Sequence, residues 1–289
     1  MKRDFESAMD HQSHARLQRL IAHVRQYNSG MAWHKGISGL TLELDYLAAI
    51  GAAPHMLAWW EHGRPLEAAP HTPKEFRNHR SVSEHSHWAD AEWSRLERLG
   101  KIHFYPAGSP RPAGLNVNPC ALLLKKRAGA SDDAPEEQKW KARLLCDLKR
   151  SHVNDTMPTL SVRYGTVELA ISRIASRGFL FVIDLADSFF NWMLTVSDSM
   201  LMGFYSEARD QYGRHLFCPF GLRPAPAIND DSVKELLRLL EKTEGITLTD
   251  FVDDMLGCGT TLNESWDSME RAVRFYLQLA SQSAPNLQV

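Results

Sequence analysis

Two apolar stretches of the sequence contain carboxylates: FLFVIDL at residues 179–185, with Asp184 near its end, and FVDDMLG at residues 251–257, with Asp253 and Asp254 near its start. The first stretch is short and rich in aromatic and β-branched residues, which predicts a fully buried strand. In the second, apolar arms flank the Asp-Asp pair, which predicts a β-hairpin with the pair at or near its turn.

Carboxylates within apolar strands need a compensating charge. Aspartate has an unperturbed pKa of about 3.9, and burying it unpaired costs several kcal/mol. Mg²⁺ binds carboxylate oxygens, and two such ions about 3.5–4 Å apart can stabilise the attacking and leaving oxygens of an in-line phosphoryl displacement. Taken alone, each site fits a structural role better than a metal site, since Asp-Asp is common in turns and Asp184 could cap the turn that follows it.

Composition describes an ordinary globular protein. The 289 residues carry a formal net charge of −2, and 44% of them are apolar. Basic residues outnumber acidic ones in residues 101–160, whereas acidic residues outnumber basic ones in residues 161–289. This distribution is compatible with a phosphate-binding surface beside a metal-binding one, although imbalances of this size also arise by chance.

The sequence predicts an intracellular protein, in the cytoplasm or the nucleus, with no membrane partner. The start, MKRDFESAMD, lacks the apolar region of a signal peptide, and the apolar-rich residues 46–60 are too short to span a bilayer. The four cysteines are widely spaced without a CxxC pattern, which favours neither a disulfide framework nor a zinc site.

Hydrophobic spacing along the chain predicts a mixture of helices and strands. Helices are expected in residues 10–26, 41–62, 84–100, 166–177 and 231–243. Strands are expected in residues 120–127, 143–148 and 178–185, in two segments around the turn at 207–213, and in the hairpin at 246–259. The order favours the α+β class, with helices packing on an antiparallel sheet.

Six segments occur in an order that is typical of one family. They are EWSRLERLGKI (92–102), NPCALLLKKR (118–127), RLLCDLKRSHVN (143–154), FVIDLADSFFNWML (181–194), CPFGLRPAPA (218–227) and FVDDMLG (251–257). Together they resemble the reverse transcriptase domain of retrotransposons, particularly the gypsy-like and DIRS-like classes. One Asp-Asp pair is a weak signal, but six ordered motifs are a strong one.

The resemblance implies a right-hand polymerase fold of fingers and palm, in which helices back an antiparallel sheet. The expected division is an N-terminal helical extension and connector in residues 1–80, fingers in 81–160 with 192–222 returning to them, palm in 161–191 and 223–262, and a truncated C-terminal helix in 263–289. The stretch that follows Asp254 does not match the family's primer-grip and thumb elements, so a C-terminally truncated copy without a thumb is expected.

The resemblance also assigns the metal site. Asp184, Asp253 and Asp254 fall on the catalytic, metal-binding carboxylates, and the backbone carbonyl of Leu185 is expected to contribute. Two Mg²⁺ ions are the implied cofactor, with Mn²⁺ as an alternative.

Seven further residues fall on the family's deoxynucleotide-binding positions. Arg143, with Lys125 or Lys126, matches the triphosphate contacts, because a guanidinium suits bidentate phosphate binding. Phe189 matches an aromatic steric gate against the ribose 2′-hydroxyl; Phe220 and Gly221 line the pocket, with Asp187 beside it. From the residues alone, core packing is the better interpretation of Phe189, and the lysines fit a solvated strand end.

The implied function is RNA-directed DNA polymerisation by two-metal nucleotidyl transfer. Its partners are an RNA or DNA template with a primer, deoxynucleoside triphosphates and other domains of a retroelement polyprotein. Two alternatives stay open: a non-catalytic nucleic-acid-binding remnant of a reverse transcriptase, and an RNA-dependent RNA polymerase-like palm enzyme.

Two positions depart from the family's pattern. His152 stands where an asparagine is usual, and Asn154 follows two residues later. The Ile228-Asn229 pair follows the Pro-x-Gly motif where an aromatic residue is common.

Overall fold

The computed structural model describes residues 11–30, 41–127, 129–173, 178–252, 254–279 and 286–288. The helices are α1 (His11–Gly30), α2 (Thr41–Ile50), α3 (Pro54–His62), α4 (Arg80–Glu84), α5 (Ser86–Arg98), α6 (Glu136–Lys139), α7 (Val167–Arg173), α8 (Val196–Ser199), α9 (Ala225–Glu244) and α10 (Leu262–Leu279). Short 3₁₀ helices occupy Asn154–Thr156, Ser188–Asn191 and Met200–Met202.

The strands are β1 (Ile102–Phe104), β2 (Cys120–Lys126), β3 (Trp140–Cys146), β4 (Phe179–Ala186), β5 (Gly203–Ser206), β6 (Gln211–His215), β7 (Thr249–Phe251), β8 (Asp254–Gly259) and β9 (Asn286–Gln288). Within the described residues they form a four-stranded sheet in the order β7-β8-β4-β9, a three-stranded sheet in the order β1-β6-β5, and the hairpin β2–β3. All pairings between these strands are antiparallel, which confirms the predicted mixture of helices and antiparallel sheets.

Strand β4 has one buried and one open face. Phe181, Ile183 and Leu185 are buried, whereas Leu180 and Val182 are each 52% exposed. The expectation of a fully buried strand is therefore wrong. Successive side chains of a strand point to opposite faces, and among the described residues helices cover only one face of this sheet at β4.

The buried face of the four-stranded sheet packs against α10, which contacts β4 and β8. Tyr276 of α10 is 1% exposed, and its hydroxyl lies 3.0 Å from the sulfur of Met255 in β8. Leu239 and Leu240 of α9 are fully buried in the same core. This core also includes Leu20, Leu44 and Leu47 from α1 and α2, so the N-terminal helices pack on the rest of the chain.

A second core lies between α5, β1, β2–β3 and β5. The predicted stripe of Ala89, Trp93 and Leu96 on α5 is buried, with exposures of 0%, 1% and 1%. The ring of Trp93 stacks on Phe204 of β5 at a centroid distance of 5.5 Å. The helical spacing of these three residues therefore identified the inner face of α5 correctly.

Other elements differ from the sequence expectation at their ends. Helix α9 begins at Ala225 rather than at residue 231, because Pro226 in its first turn needs no hydrogen-bond donor there. The helix expected in residues 263–289 spans Leu262–Leu279, and residues 286–288 add a strand beside β4. Ile171, placed by spacing on the apolar face of α7, is 63% exposed.

All four cysteines are free thiols, as their spacing predicts. None of the described helices has both the length and the apolar character that crossing a lipid bilayer requires.

Candidate active site

Two of the three predicted metal-binding carboxylates face each other across neighbouring strands. Asp184 of β4 is the register partner of Asp254 of β8, at the end where these two strands stop pairing. Directly opposed residues of an antiparallel pair have Cβ atoms about 4.5–5.5 Å apart, on the same face of the sheet. That face also carries Leu180 and Val182, so both carboxylates lie at one end of the open face.

The third carboxylate, Asp253, lies outside the described residues. Within the described part of the chain, no cluster of three or more His, Cys, Asp or Glu side chains forms a metal site. Leu185, whose carbonyl is predicted to bind metal, has a side chain that is 1% exposed and is the register partner of Leu287 in β9. The structure therefore describes three of the four residues of the predicted metal site: Asp184, Leu185 and Asp254.

The hairpin turn between β7 and β8, just before Asp254, has a strained backbone. Val252 has a φ of 62°. A positive φ is rare for a β-branched residue, because its side chain crowds the following carbonyl, and such conformations cluster at functional sites. The positive φ of Val252 therefore indicates that the surrounding structure holds this hairpin turn in one backbone conformation.

Three of the predicted nucleotide-binding residues, Arg143, Phe189 and Phe220, come together. The rings of Phe189 and Phe220 lie 5.9 Å apart, edge to face, and Phe220 also meets Phe190 at 5.3 Å. The guanidinium carbon of Arg143 lies 5.9 Å from the centroid of Phe220. Phe189 is partly buried, so its side chain both packs against the core and takes part in this cluster.

The register of β2–β3 separates the two candidate lysines. Leu123 pairs with Arg143 and Lys125 pairs with Lys141, whereas Lys126 pairs with Trp140. Because side chains alternate along a strand, Lys125 shares a face with Arg143, and Lys126 points to the opposite face. Lys126 there forms an ion pair with Asp132.

The Pro-x-Gly loop is fastened to the end of β3. The backbone N–H of Cys146 donates to the carbonyl of Phe220 at 2.9 Å. Gly221 has a φ of 104°, and a Cβ atom added there would lie 2.1 Å from the carbonyl oxygen of Cys146. Only glycine permits both this backbone conformation and this close approach.

Asn154 holds the same loop from its other side. Its Nδ2 donates to the carbonyl of Gly221 at 2.8 Å, and its Oδ1 accepts from the N–H of Arg223 at 2.9 Å. His152, at the position where the family has asparagine, has a φ of 62° and hydrogen-bonds the Asp155 carboxylate through Nδ1 at 2.8 Å. The side chain two residues later thus makes the contacts with the loop.

Asp187 is engaged by helix α5. It has a left-handed backbone, with a φ of 51°, and its carboxylate lies 2.6 Å from the guanidinium of Arg95, which also binds Glu92. Burial lowers the pKa of the nearby Lys101 to about 8, and the charge of Asp187 partly counters this effect. Sequence reasoning missed Arg95 and Lys101, because nothing in the spacing of α5 shows that its polar edge meets the turn after Asp184.

No family model and no curated protein matches the sequence. Among solved structures, the chain is similar to a foamy viral protease-reverse transcriptase (dRH) in complex with double-stranded DNA, with a TM-score of 0.55 and 16% identity, covering 74% of this chain and 33% of that chain. The native prototype foamy virus protease-reverse transcriptase matches with a TM-score of 0.53 and 17% identity, covering 74% of this chain and 25% of that one.

The chain thus spans between a quarter and a third of the length of these solved chains. At identities this low, the likeness concerns the fold. The mixed architecture of helices and antiparallel sheets described above is therefore a reverse transcriptase fold.

Proposed function

We propose that this chain is an RNA-directed DNA polymerase, the reverse transcriptase domain of a gypsy-like or DIRS-like retroelement. The observation that carries the proposal is the register pair of Asp184 and Asp254, which places two carboxylates opposite each other at one end of an open sheet face. The cluster of Arg143, Phe220 and Phe189 supports it, because it supplies a cation and two aromatic rings for binding a nucleotide.

In this proposal the four-stranded sheet with α9 and α10 is the palm, and β2–β3 with α5 belongs to the fingers. The boundaries follow the motifs: fingers in residues 81–160 and 192–222, palm in 161–191 and 223–262, with residues 1–80 as an extension. The burial of Leu20, Leu44 and Leu47 in the palm core supports a structural role for that extension.

The reaction is an in-line displacement. The 3′-hydroxyl oxygen of the primer attacks the α-phosphorus of a deoxynucleoside triphosphate; the new P–O bond forms as the bond to the pyrophosphate oxygen breaks, and the hydroxyl proton is released. The protein's contribution is to position the reactants and to supply fixed charges around them.

The residues at the sheet end fit a hard divalent cation. Carboxylate and backbone carbonyl oxygens are the ligands that Mg²⁺ prefers. Two Mg²⁺ ions, or Mn²⁺, bound by Asp184, Asp253, Asp254 and the Leu185 carbonyl would lower the pKa of the primer hydroxyl and neutralise charge on the leaving pyrophosphate. Arg143 and Lys125, on the shared face of β2–β3, would bind the triphosphate.

The register of β2–β3 yields a prediction that separates the two lysines. Lys125→Ala is expected to raise the KM for deoxynucleoside triphosphates about tenfold, because one charge-assisted phosphate contact is lost. Lys126→Ala, which removes a cation from the opposite face, is expected to change that KM less than about threefold. Steady-state primer extension measures both values, and equal effects of the two variants would contradict the assignment.

Phe189 yields a second prediction, on sugar selection. Phe189→Ala is expected to lower the ratio of kcat/KM for dCTP over CTP about tenfold or more, because a ring that crowds the ribose 2′-hydroxyl is removed. Phe179→Ala, an exposed phenylalanine at the far end of β4, is the matched control and should leave the ratio unchanged. A ratio like the parent's in Phe189→Ala would show that Phe189 is not the gate, and the argument from Phe189 against an RNA polymerase-like enzyme would be lost.

A nucleic acid is the proposed partner. One of the similar structures is a complex with double-stranded DNA. Because base pairing carries the sequence information in template copying, the protein is expected to bind the backbone and shape of a template–primer duplex.

Primer extension on an RNA template tests the proposal. Incorporation of deoxynucleotides that needs primer, template and Mg²⁺ is expected. Salt-sensitive template binding without any incorporation would overturn catalysis and support the alternative of a non-catalytic remnant.

A further inference from the structure

Asn229 is a fully buried amide on the second turn of α9, with an exposure of 0%. Its Oδ1 accepts hydrogen bonds from the Ser188 hydroxyl and from Nε1 of Trp192, the latter at 2.7 Å. Its Nδ2 donates to the carbonyl of Val252 at 2.7 Å. One side chain therefore joins three elements: α9, the turn after β4 and the turn before β8.

The chemistry of the partners fixes the orientation of this amide. An indole N–H can only donate and a backbone carbonyl can only accept, so the oxygen of Asn229 must face Trp192 and its nitrogen must face Val252. The asparagine amide presents an acceptor on one side and a donor on the other, as these partners require. A phenylalanine side chain has neither group and cannot make these contacts.

The two turns that Asn229 joins are those that carry the candidate catalytic groups. Ser188 and Trp192 flank Phe189 and follow Asp184 in the chain, while Val252 precedes the Asp-Asp pair. Pairing between β4 and β8 ends at Asp184 and Asp254, so hydrogen bonds between these two strands do not connect the two turns beyond that point. Asn229 connects them there, and its bond to Val252 stabilises the residue with the positive φ.

We propose that Asn229 is a positioning residue. It fixes the position of the hairpin carboxylates relative to Asp184, and the position of Phe189 relative to both. This inference rests on the proposed function and deepens it, because it names a hydrogen-bonded connection between the two turns that carry the candidate catalytic groups. If Asn229 had a structural role alone, replacing it would affect stability and activity in the same way as replacing any other buried amide.

The chain offers a matched control in Asn118. It is also 0% exposed, its Nδ2 donates to the carbonyls of Leu201 and Gly203 at 2.8 Å each, and its Oδ1 accepts from Asn116. Replacing either asparagine by aspartate keeps the size, and an ionised carboxylate there has no donor for the carbonyl that it faces. The two variants thus suffer the same chemical change, one at the site and one away from it.

The experiment compares Asn229→Asp with Asn118→Asp in the full chain. Both are expected to lower the melting temperature. Only Asn229→Asp is expected to lower kcat, by about tenfold or more, because the reacting groups are misplaced. The KM for nucleotide is expected to change less, and the Mg²⁺ concentration at half-maximal rate is expected to rise. Equal loss of kcat in the two variants would overturn the inference.

Two further measurements make the result independent of folding and of the polymerase assay. Ser188→Ala removes one bond to Oδ1 but keeps the bond to Val252, and it is expected to keep kcat within about threefold; a loss as large as in Asn229→Asp would overturn the inference. Hydrogen exchange of residues 246–259 is expected to accelerate in Asn229→Asp and not in Asn118→Asp. If the parent incorporates no nucleotide, the proposed function fails, while this exchange result still supports or overturns the connection made by Asn229.

Discussion

Primer extension is expected to fall at least about 1,000-fold when Asp184 is replaced by asparagine, which corresponds to about 4 kcal/mol of transition-state stabilisation. The substitution keeps the size of the side chain and removes its charge. Asp184 lies opposite Asp254, so the change removes the charge of one of these two opposed carboxylates. Cations bound there would lose their hold while the fold remains.

A binding measurement separates this loss from unfolding. A ligand at ten times its dissociation constant stabilises the folded state by about 1.4 kcal/mol, so Mg²⁺ at that concentration should raise the melting temperature of the parent and should raise that of Asp184→Asn less. Asp267→Asn, on the outer side of α10 beside Arg16, is the control that should keep activity. Extension by Asp184→Asn within about threefold of the parent would refute the assignment.

Gly221→Ala is expected to lower the free energy of unfolding by about 3 kcal/mol or more. Its Cβ would lie 2.1 Å from the carbonyl oxygen of Cys146, which is backbone and cannot rotate away, and a φ of 104° is unfavourable for alanine. The loop must shift off β3 to relieve the contact. Phe220 moves with it, so the KM for nucleotide is expected to rise as well.

Gly114→Ala separates the two causes of this loss. Gly114 also has a positive φ, of 80°, but no atom lies within 4 Å of an added Cβ. It is expected to cost about 1 kcal/mol in urea denaturation, the contribution of the backbone conformation alone. If both variants lose the same stability, the close approach of the loop to Cys146 does not contribute.

The sequence predicted three of the four strands of the four-stranded sheet, but it predicted neither β9 nor the exposure of β4. Alternation of apolar and polar residues reports burial on one face, and β4 lacks it, because Leu180 and Val182 are as apolar as their buried neighbours. A continuous apolar run predicts a strand buried on both faces. Which face is covered depends on where α10 and α9 pack, and those helices are distant in the chain.

The roles of single polar residues were also beyond the sequence. Lys125 and Lys126 are adjacent and chemically identical, and only the pairing of β2 with β3 shows which shares a face with Arg143. Asn229 was visible merely as a departure from a motif. Its contacts with Trp192 and Val252 need three segments brought together, and hydrogen-bond geometry cannot be inferred from spacing along one chain.

By itself, the sequence predicted most of the helices and strands and indicated Asp184, Asp253 and Asp254 as candidate catalytic residues. It could do so because local propensity and an ionisable group within an apolar strand are both properties of neighbours in the chain. Only the tertiary structure decided that Asp184 lies opposite Asp254, that Lys125 shares the face of Arg143, and that Asn229 joins the two turns. Those facts depend on strand register and on the packing of α9, which arise from contacts between residues far apart in sequence.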